Sequence, residues 1–226
     1  MPSSARLMVM MRREAGLSVV LAIQASIMFV VSPLAATGVI FPGALDVFRF
    51  ALATAAVLML TRDRFAAVLI IATFVVSLSL SFVMQRGDRV AAGYVLRVAV
   101  TTAFDLSIAT TVARVAFGPG RVSFHRIMGG VILYLSIGLI FANFYRAAAV
   151  LLHPSFEGLP DDREAQTSGL LYFSLSTLTT TEFGDIIPVH PLVRSLSNLE
   201  AVIGQLFPAT LLARLVTQHA ARRRDD

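Results

Sequence analysis

Ser168-Gly169-Leu170-Leu171-Tyr172-Phe173-Ser174-Leu175-Ser176-Thr177, followed by Leu178-Thr179-Thr180-Thr181-Glu182-Phe183-Gly184-Asp185, is the stretch whose reading decides the fold. Its first half is apolar enough for a membrane but too short to cross one, because a helical span needs about 20 apolar residues. Its second half is threonine-rich and ends in Gly-Asp, and Pro188 and Pro191 then precede another apolar run. A half-length helix followed by irregular backbone at membrane depth is tolerated only where protein or water covers it. The pattern predicts a re-entrant loop over 168–187 that lines a pore. The bland alternative is a re-entrant loop that conducts nothing.

The rest of the chain supplies the membrane setting. Of 226 residues, 56% are hydrophobic and 15% charged, and the mean hydropathy is +0.76. A soluble domain is closer to half apolar and a quarter charged. Six segments qualify as spans: 17–36, 45–61, 65–84, 90–115, 127–152 and 191–216. The second is short and carries Asp46 and Arg49. The first follows Arg12 and Arg13, and its length makes an uncleaved anchor the expectation over a signal peptide. Arg6, Arg12, Arg13, Arg62, Arg64, Arg114, Arg121, Arg126, Arg214, Arg222, Arg223 and Arg224 fall on one side, and Arg86, Arg89, Arg163 and Arg194 on the other. By the positive-inside rule both termini are expected in the cytoplasm of a multi-pass plasma-membrane protein. The short run after the last span carries the expectation of no soluble regulatory domain.

The net charge of +5 invites a nucleic-acid partner, but arginines between apolar runs are a topology pattern and not a binding patch. No Cys is present, so thiolate metal sites and disulfides are excluded. The Gly118-Pro119-Gly120 turn divides the chain into a front four-helix unit, 1–117, and a rear two-helix pore unit, 118–226. The expected class is all-α integral membrane: six transmembrane helices with a re-entrant pore helix and loop.

Tyr172-Phe173-Ser174, then Thr177, Thr179 and Thr180, then Phe183-Gly184-Asp185 resemble the potassium-channel-like superfamily of tetrameric pore-loop cation channels. Gly204, 20 residues after Gly184, stands where that family has a hinge glycine. Gly204-Gln205-Leu206 and Leu212-Ala213-Arg214-Leu215-Val216 look like its bacterial inner helices. The resemblance runs over about Ser123 to His219. It implies a fourfold homotetramer in membrane lipid, no enzymatic activity and no cofactor beyond permeant cations: K+, and with it Na+ or Ca2+. It implies a selectivity filter at Thr180, Thr181, Glu182, Phe183 and Gly184, whose backbone carbonyls replace an ion's hydration shell. Cations are expected at Thr180, Thr181 and Glu182, with the Thr180 hydroxyl closing the innermost site. Thr177, Thr179, Asp185 and Glu200 are implied supports. Gly204 and Pro208 are the expected gate or hinge.

The departure is Glu182, which replaces the family's first filter glycine, while Thr181 replaces its valine. A left-handed conformation costs an L-residue about 1–2 kcal/mol. Either the backbone keeps its shape under strain with Glu182 behind the filter, or the carbonyl ring changes and four carboxylates face the pore. The second outcome is the expectation and predicts weak potassium selectivity or none; the alternative is the first, which leaves potassium selectivity intact. Glu182 as a structural partner for Ser176 does the same.

Other residues fix the competing functions. The front four helices are sensor-like in count, but Arg89, Arg97 and Arg114 are spaced at intervals of eight and seventeen, too sparse for gating charges. Structural ion pairs of Asp46 or Asp105 with Arg97 are expected instead. Glu157, Asp161, Asp162 and Glu164 would raise cation concentration at a pore mouth, or simply solvate a loop. An intramembrane hydrolase would need a Ser-His or paired-Asp constellation within the spans, and Asp46 and Asp105 fall at different depths. A non-conducting membrane subunit derived from a channel is the remaining alternative.

Overall fold

The computed structural model describes residues 16–40, 44–61, 63–86, 91–118 and 124–225. Pro119-Gly120 of the expected turn, and Arg6, Arg12, Arg13, Arg62, Arg89 and Arg121, lie outside the described residues. The chain is almost wholly helical: α1 Gly16–Ala36, α2 Ala44–Ala55 continued by the π-turn Ala56–Leu60, α3 Arg64–Arg86, α4 Ala91–Ala116, α5 Phe124–Leu151, α6 Arg163–Leu178 and α7 Pro191–Asp225. Two short antiparallel strands, β1 Phe156–Glu157 and β2 Ile187–Pro188, pair Phe156 with Pro188 and Glu157 with Ile187.

Among the described residues, four helices are long and apolar enough to cross a membrane: Gly16–Ala36, Ala92–Ala116, Arg126–Leu151 and Pro191–Ala213. They fall on the first, fourth, fifth and sixth expected spans. The second and third expected spans form helices at their expected places, α2 and α3. Arg64–Leu80 of α3 is apolar but shorter.

Local chemistry explains the irregular turns. Pro33 has no N–H to give and crowds the preceding turn. α1 absorbs it by a π-turn over Ile27–Val31, in which the Ser32 N–H reaches the Ile27 carbonyl. α6 begins with Asp162 as its cap, the carboxylate accepting from the Ala165 N–H at 2.9 Å. α7 opens on Pro191, suited to a first helical turn, with His190 Nδ1 accepting from the Leu192 N–H at 3.2 Å.

The largest core cluster joins Leu17, Val20 and Ile27 of α1, Leu52 and Leu60 of α2, Phe74 of α3, Phe104 and Val112 of α4, and Ile132 and Leu133 of α5. Small residues permit close approach, as is usual between helices in lipid: a Cβ on Gly129 would press on Ala116 and one on Gly138 on Leu175. A second contact matters more for the site. Met28 of α1, Ala142 of α5 and Leu171 of α6 form one buried cluster, so α1 and α5 both brace the half-length helix.

Among the described residues, the expected pairs of Asp46 or Asp105 with Arg97 do not form. Its guanidinium lies over the Tyr94 ring, 5.5 Å from the centroid. Eight residues of helix separate Arg97 from Asp105, about 12 Å along the axis, whereas Tyr94 is one turn away. Asp105 is instead held from α5: Asn143 Nδ2 donates to it at 2.8 Å, and Arg146 donates to Asn143 Oδ1 at 2.9 Å. Arg146 also reaches the Thr167 carbonyl of α6 at 3.3 Å. This chain of bonds ties the fourth helix to the half-length helix across α5. In Asn143→Leu, Asp105 loses the Asn143 donor and Arg146 loses one of its two acceptors, keeping the Thr167 carbonyl. We expect a loss of about 1–3 kcal/mol for each buried group left unsatisfied, seen as a lower thermal midpoint of the detergent-solubilised chain. Asp105→Asn keeps an acceptor for Asn143 and should lose less.

Candidate functional site

α6 is 16 residues long, about 24 Å at 1.5 Å per residue, short of the roughly 30 Å of a bilayer core. It stops by a specific mechanism. The Thr181 N–H bonds the Ser176 carbonyl at 2.8 Å and the Thr180 N–H bonds the Thr177 carbonyl at 2.9 Å. That is the bond pair of a Schellman motif, which needs a left-handed residue after the helix, usually glycine. Here Thr180 occupies it with φ +57°. The Glu182 N–H also points to the Ser176 carbonyl, at 3.3 Å.

Left-handed residues then recur at every second position: Thr180 at +57°, Glu182 at +42° and Gly184 at +79°. Thr181 and Phe183 between them are not left-handed. Alternation of hand turns successive peptide units so that N–H groups gather on one edge of the chain and carbonyls on the other. Two of the three left-handed positions carry side chains that resist the conformation. Glu182 therefore holds a glycine-like backbone. Its side chain is exposed. The Ser176 hydroxyl is turned away from it, donating to the Phe173 carbonyl at 2.9 Å.

The outer end of this segment is tied at three points. The Tyr172 hydroxyl donates to Asp185 at 3.1 Å, and the Tyr172 and Phe183 rings stack at 5.8 Å. β1 and β2 join the loops before α6 and after Asp185, and Gly158, at φ +81°, lets the Asp185 carbonyl pass where any Cβ would collide.

The inner face is held by polar side chains from three helices. Glu200 of α7 is fully buried. Its Oε2 accepts from the Tyr145 hydroxyl at 2.6 Å and its Oε1 lies 2.5 Å from Ser174 Oγ. Ser174 also donates to the Gly138 carbonyl at 2.7 Å. Tyr145 stacks edge-on against Phe173 at 5.0 Å. At the end of α6 the Tyr134 hydroxyl caps the Leu178 carbonyl at 2.9 Å. Gly204 abuts that same carbonyl, where a Cβ would collide with it. α7 runs unbroken through Gly204 and Pro208, and Pro208 has no N–H for the Gly204 carbonyl one turn back.

The residues singled out in the sequence thus divide. Thr179, Thr180, Thr181, Glu182, Phe183, Gly184 and Asp185 form one exposed segment, with Thr177 buried at its root and Glu200 buried on α7. Thr177 Oγ1 has no hydrogen-bond partner among the described residues. Thr179 Oγ1 lies 3.0 Å from Thr181 Oγ1. Tyr134, Tyr145 and Gln205 were not foreseen; Gln205 Nε2 donates to Thr180 Oγ1 at 2.9 Å. A tyrosine one helical face from a carbonyl it will cap leaves no local signal. The Asp162 cap did leave one, since acidic residues before an apolar run mark a helix start. Among the described residues no group of three His, Asp or Glu side chains could hold a metal ion.

Residues 130–219, from α5 into α7, match a family model described as an ion channel. No curated protein and no solved structure matches the chain. The match supports a pore-forming ion-channel subunit embedded in a membrane, and it points away from an enzyme.

Glu200→Ala strands the buried Tyr145 hydroxyl and leaves Ser174 with its bond to the Gly138 carbonyl alone, and should destabilise by about 1–3 kcal/mol, measured by thermal melting of the solubilised full chain. Glu200→Gln supplies both an acceptor for Tyr145 and a donor for Ser174 and should recover most of that loss. Gly204→Ala forces α7 away from Leu178. Overpacking of this kind costs about 1–3 kcal/mol, and limited proteolysis should find the 179–185 segment more open.

Proposed function

We propose that this chain is the pore-forming subunit of a homotetrameric cation channel in the plasma membrane, with six spans, both termini cytoplasmic, a front unit over 1–117 and a pore unit over 118–226. Four copies of the segment 180–184 surround one axis. Cations pass down their electrochemical gradient between rings of backbone carbonyls. The carboxyl end of α6, carrying about half a negative charge, favours a cation there.

The observation that carries the reading is the alternation of hand at Thr180, Glu182 and Gly184. It retains a carbonyl ladder although only one of the three is glycine. With the alternation of hand kept at the Glu182 position, the geometry favours a potassium-selective filter. Thr177, Thr179, Asp185 and Glu200 support it. Gly204 is spent on close packing, which makes Pro208 the freer point for a gating bend.

The exposure of Glu182 favours a second reading. Among the described residues no hydrogen bond to its carboxylate is formed, so it is free to face the axis. Four such carboxylates would give weak potassium selectivity or none, and would bind Ca2+ or protons, since like charges raise each other's pKa.

Reversal potentials of the reconstituted full chain under potassium and sodium gradients test both. We expect a potassium preference that Glu182→Gly leaves unchanged. A clear gain in potassium preference in Glu182→Gly, together with lost Ca2+ block, would instead establish the pore-facing carboxylate. No cation flux from a tetramer would leave a non-conducting subunit, and a purified protein that is not tetrameric would refute the proposal outright.

A further inference from the structure

Glu200 is fully buried, and among the described residues no arginine or histidine pairs with it. Its surroundings hold polar groups but no free cation. α5 brings the Tyr145 hydroxyl, and Tyr134, whose hydroxyl is committed to the Leu178 carbonyl. Arg146, next to Tyr145 in sequence, is turned to Asn143 and the Thr167 carbonyl. α6 brings Ser174, while its Tyr172 is taken by Asp185. Glu182 is exposed, α1 has no titratable side chain, and on α7 itself Arg194 reaches back to the Pro188 carbonyl. An ionisable group inside a span is a functional candidate. A buried carboxylate with no cation beside it is costly unless it takes up a proton.

The oxygens show where that proton sits. Ser174 Oγ lies 2.7 Å from the Gly138 carbonyl oxygen and 2.5 Å from Glu200 Oε1. Each of these two gaps needs a proton, the carbonyl has none to give, and a hydroxyl has one. The Tyr145 proton is spent on the other carboxyl oxygen, at 2.6 Å. The missing proton therefore belongs to Glu200. We propose that Glu200 is a neutral carboxylic acid that donates to Ser174, and that its ionisation is a switch that unseats α6 from α5. Ionisation releases one proton to water. Ser174 then turns its own proton to the carboxylate, and the Gly138 carbonyl loses the donor that ties α6 to α5. The seated state holds one more proton per chain than the ionised state. Rising pH therefore shifts the balance toward the unseated state by up to about tenfold per pH unit, and acid leaves the seat closed. α6 runs directly into the 180–184 segment, so conduction is lost at alkaline pH. That consequence rests on the channel reading; the proton assignment does not. Glu200 acts through Ser174 and touches no permeant ion, so it is a positioning residue.

Infrared spectra and potassium flux of the reconstituted full chain, with equal pH on both sides of the liposome, test the switch. At neutral pH the unmodified chain should show the carbonyl stretch of a buried carboxylic acid that Glu200→Gln lacks; the buried Asp105 is common to both. Flux is normalised to each variant's own value at neutral pH. In the unmodified chain it should fall by up to about tenfold per pH unit on the alkaline side, and in Glu200→Gln, which cannot ionise, it should stay within about twofold. Tyr145→Phe removes a donor that a carboxylate needs more than a neutral acid does, so its loss of flux should begin at higher pH. A missing band, the same alkaline profile with and without Glu200, or a Tyr145→Phe profile moved to lower pH would overturn the inference while leaving the channel reading in place. If Glu200→Gln fails to assemble, the direction of the Tyr145→Phe shift decides. If the unmodified chain carries no current, the channel reading fails. The band then decides Glu200 by itself, together with a thermal midpoint that falls with rising pH in the unmodified chain and not in Glu200→Gln.

Discussion

A helix that ends partway through a bilayer leaves its last carbonyls and the following N–H groups where lipid offers them nothing, and each unsatisfied group is costly there. The end of α6 meets this constraint with its own backbone first. The Ser176 carbonyl takes N–H groups from both Thr181 and Glu182, and Thr177 takes one from Thr180. The Leu178 carbonyl goes to Tyr134. What remains is a run of alternating hand at Thr180, Glu182 and Gly184. The left-handed Thr180 and Glu182 follow from this geometry, since a right-handed residue at either place would break the alternation.

Strain of this kind persists only where the surroundings over-determine it. The surroundings are polar and shared among helices that are remote in sequence. Glu200 of α7 joins Ser174 of α6 to Tyr145 of α5, and the Phe156, Phe173 and Tyr145 rings pack around that node. β1 and β2 hold the outer end. Each tie is worth little alone, on the order of 1 kcal/mol net for a neutral hydrogen bond. Together they act on a single short segment, which is why it can hold two left-handed residues with side chains.

The front helices contribute through contact with this scaffold. Gln24 of α1 donates to Ser136 of α5 at 3.0 Å, and Asp105 of α4 reaches α6 through Asn143 and Arg146. Arg97 leans on Tyr94, and Arg163, at the start of α6, lies over the same ring at 5.4 Å. The polar residues of α4 therefore serve packing around α5 and α6, consistent with arginines too sparse to form a regular charged stripe.

The sequence by itself determined where helices form and where one of them stops short, because apolar run length, Pro33, Pro191 and the Gly-Asp at 184–185 act locally. It also marked Glu182 as the residue at odds with its position. It did not contain the hand of Thr180, the partners of Glu200, or the bond from Gln205 to Thr180. Those join residues 25 or more positions apart, and whether two such side chains meet depends on the rotation and depth at which helices settle against each other. Gly204 shows the difference most clearly: the family resemblance makes it the expected hinge, and the packing of α7 adds that a Cβ at this position would collide with the Leu178 carbonyl. Only the assembled helices decide that, since a missing side chain acquires its meaning from what fills the space beside it.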